Sequence, residues 1–257
     1  MFSAAEVKEF DRDGYVVARA FVPDKECAQI KAVAQRDLDA EKQPIEYETD
    51  TKYPGAPVSL DAPGGRTVRR LLQACTRDPL IAHWAIQHGL AERLRQLLGP
   101  RVELSQAHHN CIMTKNPAFS SATGWHQDIR YWSFQKPELV SVWLALGPEH
   151  EENGCLWLVP GSHRMEFLPD QFDGDRFFRT GLEQNRLVID AKVAAELDEG
   201  DVLFFHCRLL HAAGRNRTAL TKFAAVFTYH CADNLPLTGS RSALLPDIDV
   251  PLATRRR

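Results

Sequence analysis

Apolar and polar positions divide the chain into two parts of different rhythm. Ser3 stands three residues before Glu6, the spacing of a capping box, and predicts a short first helix. Asp13-Gly14 marks a turn, and Tyr15-Val16-Val17-Ala18 a short strand. Over residues 25–42 the apolar side chains Cys27, Ile30, Ala34 and Leu38 recur at helical spacing, which predicts an amphipathic helix. Residues 43–66 break that rhythm with Pro44, Pro54, Pro57, Pro63 and Gly64-Gly65, a long loop suited to cover a site. Helical patterns resume over residues 67–75, 79–88 and 91–98, the last stopped by Gly99-Pro100.

Beyond residue 100 the character changes. Short runs rich in Val, Leu, Phe and Trp at 102–112, 140–146, 155–159, 187–189, 202–206 and 222–229 are separated by Gly, Pro, Asn and Asp turns. That is the pattern of an antiparallel sandwich or barrel. Helices come first and strands later with no βαβ alternation, which argues against a doubly wound parallel fold. The expected organisation is a single domain over 1–257: a mostly helical part to residue 100, a β core over 101–235 and a tail over 236–257.

Composition narrows the function classes. A 44% hydrophobic and 25% charged chain of 257 residues can bury a full core. A net charge of −3 without a basic patch gives no footprint for nucleic acid. The terminal Arg255-Arg256-Arg257 run reads as a solvated tail. Six scattered cysteines with no Cys-x-x-Cys pair argue against a structural zinc site and a disulfide framework, and fit reduced thiols in a cytoplasmic protein. No signal peptide is expected, since an apolar run is missing near the N-terminus. Nor does any apolar run approach the roughly 20 residues that span a bilayer. The expected partner is a small molecule, with no nucleic acid or membrane; composition leaves the oligomeric state open.

The chemistry centres on Gly124-Trp125-His126-Gln127-Asp128. In an extended stretch, side chains two apart share a face, so His126 and Asp128 can converge on one cation. A second histidine would complete the two-histidine, one-carboxylate set of non-haem Fe(II) oxygenases, which leaves coordination positions open. His211, His206, His163 and the pair His108-His109 compete for that role. Adjacent His108 and His109 cannot both face the pocket from one strand.

Further motifs follow in order: Glu152-Asn153-Gly154-Cys155-Leu156, Pro160-Gly161-Ser162-His163, and Gly200-Asp201 leading to His211-Ala212-Ala213-Gly214-Arg215-Asn216. With Phe10-Asp11-Arg12-Asp13-Gly14-Tyr15-Val16-Val17 and His126-Gln127-Asp128, the chain resembles the phytanoyl-CoA dioxygenase (PhyH-like) family of Fe(II)- and 2-oxoglutarate-dependent oxygenases. The resemblance runs over almost the whole chain. It implies a mainly β fold with flanking helices, built on a double-stranded β-helix (a cupin-like jelly-roll), and iron on His126, Asp128 and His211.

It further implies a dioxygenase that uses 2-oxoglutarate and O2, releases succinate and CO2, and hydroxylates a C–H bond through a ferryl species. Family halogenases replace the metal-binding acid with a small residue, so Asp128 favours hydroxylation. The family's usual arginine for the distal 2-oxoglutarate carboxylate falls at Lys222, and its usual serine at Ala213. Lys222 is the expected carboxylate partner, with Arg215 and Arg217 as alternatives. Trp143 and Cys111 are expected beside the cosubstrate, with Lys115 on the same strand as Cys111. Arg130, Tyr131 and Trp132 are expected at the barrel mouth, where a cation beside aromatics suits a small polar or anionic metabolite. A non-catalytic jelly-roll acting as sensor or scaffold is the competing class, which Lys222 and Ala213 keep open.

Overall fold

The computed structural model describes residues 1–51 and 53–251, so the terminal arginine run lies outside the described residues. In chain order the elements are α1 (Ala4–Asp13), β1 (Tyr15–Ala18), α2 (Asp24–Asp39), β2 (Ile45–Tyr47), β3 (Val68–Leu72), α3 (Ala74–Arg77), α4 (Pro79–Ala85) and α5 (His88–Leu98). There follow β4 (Val102–Lys115), β5 (Thr123–His126), β6 (Leu139–Ala145), β7 (Leu156–Leu158), α6 (Glu183–Ile189), β8 (Val193–Ala195), β9 (Val202–His206), β10 (His211–Ala213), β11 (Lys222–Cys231) and β12 (Ile248–Asp249).

The strands form two antiparallel sheets that face each other as a jelly-roll. The larger runs β1-β9-β6-β11-β4-β3-β2, with β12 paired to β4, and the smaller runs β5-β10-β7-β8. Alternation along the central strand explains the layers. Phe223, Ala225, Phe227 and Tyr229 of β11 point outward into a core shared with α2, α4 and α5, whereas Ala224 and Val226 point between the sheets. The same switch sends Val142 and Leu144 of β6 out, and Trp143 and Ala145 in. The buried Tyr229 hydroxyl donates to the Ala85 carbonyl at 2.7 Å, which ties the sheet to the end of α4. The capping box at α1 is present: Glu6 N–H donates to Ser3 Oγ, and Ser3 N–H to the Glu6 carboxylate.

Three sequence expectations are corrected. Of the predicted helix over 67–75 only Ala74 and Cys75 are helical, in α3; Val68–Leu72 is a strand paired with β4 through Arg70↔Met113 and Leu72↔Cys111. Residues 187–189 are not a strand but the end of α6, where Leu187 is exposed. Three apolar residues are too short a window to distinguish the two periods. The proline-rich stretch 43–66 also adds strand β2 and a 3-10 turn at Glu48–Asp50 to the sheet edge. No helix among the described residues is long and apolar enough to cross a membrane. All six cysteines are free thiols.

Candidate active site

The smaller sheet brings His126, Asp128 and His211 together. His126 ends β5, His211 opens β10, and the two are direct partners across that antiparallel pair, with ring centroids 4.2 Å apart. Gln127 is extended (φ −118°, ψ 126°), so Asp128, the first residue of a 3-10 turn, projects to the same side as His126. One ligand atom from each of the three lies within 4.8 Å of the others.

Hydrogen bonding orients each group. The His126 Nδ1 sits 2.8 Å from the Gly124 carbonyl and the His211 Nδ1 2.9 Å from the Leu209 carbonyl. A carbonyl only accepts, so each Nδ1 carries a proton, and in the neutral ring Nε2 is the nitrogen with the lone pair. Both Nε2 atoms point at Asp128 Oδ1, at 3.6 and 3.7 Å. Burial and the adjacent His126 push the His211 pKa down to about 4, so its ring is neutral, as metal binding requires. Burial alone would raise the Asp128 pKa, but His109 beside it holds its carboxyl well below the usual range. Its other oxygen accepts from Ser141 Oγ at 3.2 Å and lies 3.3 Å from His109 Nε2. Two neutral imidazoles and one carboxylate with supporting hydrogen bonds fit Fe(II) with open positions.

The expectation that His108 and His109 cannot both face a cavity is corrected. Pairing of β11 with β4 jumps from Phe227↔Asn110 to Thr228↔Ser105, so residues 106–109 bulge out of the strand. Both histidines then line the same outer cavity. His108 stacks on Trp132 at 4.8 Å and hydrogen-bonds Ser242, while His109 reaches Asp128.

The remaining candidates lie elsewhere. His163 packs on Gly14 at the end of α1, where an added Cβ would meet its Nδ1 at 2.4 Å, and His206 packs on His163 at 5.3 Å. The His206 Nδ1 accepts the Arg208 N–H at 3.0 Å, which fixes that nitrogen as unprotonated. Burial, with help from His163 and Arg208, lowers its pKa to about 4 against an ordinary value of 6.5. The unfolded chain therefore takes up this proton first as pH falls. Stability from this group is complete above about pH 6.5 and drops toward pH 4, by at most about 1.4 kcal/mol per pH unit. Urea unfolding followed from pH 7.5 to 4.5 should show the decline, and His206→Asn should flatten it; an unchanged slope would place the titrating group elsewhere.

An inner cavity opens beside the triad and is lined by Trp143, Lys115, Lys222 and Ala213, and also by Tyr53, Arg69 and Arg70, which the sequence did not mark. Lys222 and Trp143 do reach this space, but they are engaged. Buried Glu149 accepts from Trp143 Nε1 at 2.7 Å with one oxygen and from Lys222 Nζ at 2.6 Å with the other. Cys111 faces between the sheets and borders the outer cavity. Tyr131 and Trp132 line that outer cavity too, with Phe177 and Arg241. Arg130 does not. Its guanidinium lies 3.3 Å over the Phe172 ring and donates to Gln127, and the arginines that line the outer cavity are Arg70 and Arg241.

A family model, Phytanoyl-CoA dioxygenase (PhyH), matches residues 10–224. The chain belongs to the phytanoyl-CoA dioxygenase family. A probable phytanoyl-CoA dioxygenase of Caenorhabditis elegans is 25% identical over 226 residues, covering 85% of this chain and 72% of that protein. An ectoine dioxygenase of Sphingopyxis alaskensis is 26% identical over 249 residues, covering 90% and 77%. Among solved structures, apo EctD from S. alaskensis superposes with a TM-score of 0.75 at 22% identity over 92% of this chain and 79% of that one. The epimerase SnoN from nogalamycin biosynthesis, in complex with Fe3+, alpha ketoglutarate and nogalamycin RO, gives 0.71 at 23% identity over 98% and 96%. These two likenesses establish the shared jelly-roll. As a PhyH family member, the chain is a 2-oxoglutarate-dependent dioxygenase that works with iron and O2.

Proposed function

We propose that this dioxygenase hydroxylates an unactivated C–H bond of a small polar metabolite, with His126, Asp128 and His211 holding the iron. The observation that carries this reading is the pair of Nε2 lone pairs aimed at one oxygen of a buried carboxylate, at the junction of an inner and an outer cavity. Iron held there would activate O2, one atom of which passes to succinate as 2-oxoglutarate loses CO2 and the other to the substrate C–H bond.

The protein's share is positional. Ser141 and His109 occupy Asp128 Oδ2 and leave Oδ1 free as the ligand atom. Phe205, 5.1 Å from the His211 ring, shields that ring from water on the inner side. Tyr131, Trp132 and Phe177 give the outer cavity an apolar wall, and Arg241 offers a charge for an anionic group on the substrate. The Tyr131 hydroxyl is held by the Asp175 carbonyl at 2.8 Å, so this wall is set before any ligand arrives. Protein loaded with Fe(II) under air should convert 2-oxoglutarate to succinate, at a rate that rises when a substrate fills the outer cavity. Failure both to bind and to decarboxylate 2-oxoglutarate would sink the proposal.

A further inference from the structure

Resting on that reading, we infer that Arg69, and not the last-strand Lys222, receives the distal carboxylate of 2-oxoglutarate. The first observation is that the expected seat is already filled from within. Glu149 takes up both the Trp143 indole N–H and the Lys222 ammonium in one buried unit. A second carboxylate arriving there would have to stand against the first, at a cost set by two like charges in a low-dielectric site.

The second observation is a buried guanidinium with donors to spare. Arg69 is 4% exposed, yet its Nε and Nη1 have no hydrogen-bond partner. Its Nη2 donates to Thr123 Oγ1 at 2.7 Å, and Glu48 stands 3.5 Å from Nη1, too far for a hydrogen bond. Unsatisfied donors inside a protein are costly, and a guanidinium is matched to carboxylates. The backbone explains how it gets there. Pairing of β2 with β3 passes from Glu46↔Arg70 to Tyr47↔Val68, so Arg69 is an extra residue in a bulge, and Arg69 and Arg70 both line the inner cavity. Arg70 is committed to Glu46 and the Tyr53 hydroxyl.

Charge and reach agree. Arg69, Arg70, Lys115 and Lys222 face this cavity, and Glu48, Glu46 and Glu149 are the carboxylates paired with Arg69, Arg70 and Lys222. Four basic side chains against three acids leave room for one more carboxylate. Burial, followed by the charges of Arg69 and Lys222, disfavours the charged form of Lys115, a strain that an incoming anion relieves. Arg69 is anchored on Thr123, which lies three residues before His126 on β5. That is about 10 Å along an extended strand, a span suited to a five-carbon dicarboxylate chelated at the triad.

The test is an anaerobic titration of the Fe(II)-loaded protein, reading the visible charge-transfer absorption that a 2-oxo acid produces on chelation. 2-Oxoglutarate is compared with 2-oxovalerate, which has the same chain length and no distal carboxylate. Arg69→Gln should raise the Kd for 2-oxoglutarate by about thirtyfold, the scale of a truncated buried charge pair. Its Kd for 2-oxovalerate should stay within about threefold of wild type, and Arg69→Lys should recover part of the loss. The neutral pair Glu149→Gln with Lys222→Gln should leave 2-oxoglutarate binding within about threefold. The inference is overturned if Arg69→Gln leaves 2-oxoglutarate binding unchanged, if it weakens both 2-oxo acids equally, or if the Glu149/Lys222 pair variant weakens 2-oxoglutarate tenfold. A wild-type protein that shows no absorption change with either 2-oxo acid fails earlier. That outcome removes the dioxygenase reading, and with it the inference.

Discussion

Asp128→Ala is expected to abolish Fe(II) binding at micromolar metal and to reduce succinate formation to background. Asp128 is the anionic member of the triad, and both Nε2 lone pairs converge on its Oδ1. Without it two neutral imidazoles remain, and nothing in that set balances the charge of a divalent ion. The loss should exceed the roughly 10–100-fold that accompanies removal of a residue that merely orients a ligand. Ser141→Ala supplies that comparison, since it removes the 3.2 Å hydrogen bond to Asp128 Oδ2 and leaves the ligand in place. Iron content after desalting and the 2-oxo acid absorption report on both variants. Wild-type iron retention in Asp128→Ala would remove this residue from the metal site.

Lys222→Ala should act first on stability. The lysine and Glu149 are both buried, 2.6 Å apart. Removal of the lysine leaves a charged carboxylate in the core with only the Trp143 indole as a donor. Breaking a buried pair in this way costs about 3–5 kcal/mol, whereas replacing both partners with uncharged groups costs much less. Urea denaturation of Lys222→Ala should therefore show a large fall in midpoint, and the Glu149→Gln/Lys222→Gln pair should recover most of it. Equal loss in the single and the paired variant would mean that the lysine contributes through packing and not through its charge.

Much of the architecture was legible in the chain. The short apolar runs bounded by turn residues mark β6, β9 and β11 closely, because these strands are buried on both faces and a short apolar run between turns is visible locally. The relation between His126 and Asp128 needs only that Gln127 be extended, and it is. His211 was marked by its ordered motifs, and the β5–β10 pairing brings it opposite His126.

What only the tertiary structure decided are the places where local pattern does not specify a partner. Val68-Arg69-Arg70-Leu71-Leu72 carries no alternation to distinguish a strand from a helix, and pairing with β4 makes it a strand. Two bulges then bring side chains to the site against the simple alternation rule: His108 and His109 in β4, and Arg69 in β3. Arg130 was expected at the barrel mouth from its position in the chain, but the face of Phe172, 42 residues later, holds it away. Glu149 is one acid among several in the sequence around it, and its pairing with a lysine 73 residues further on is set by the fold. Alternation and spacing are carried by neighbours in sequence and can be read directly. Ion pairing and bulge register depend on which distant strands meet, and only the closed barrel determines that.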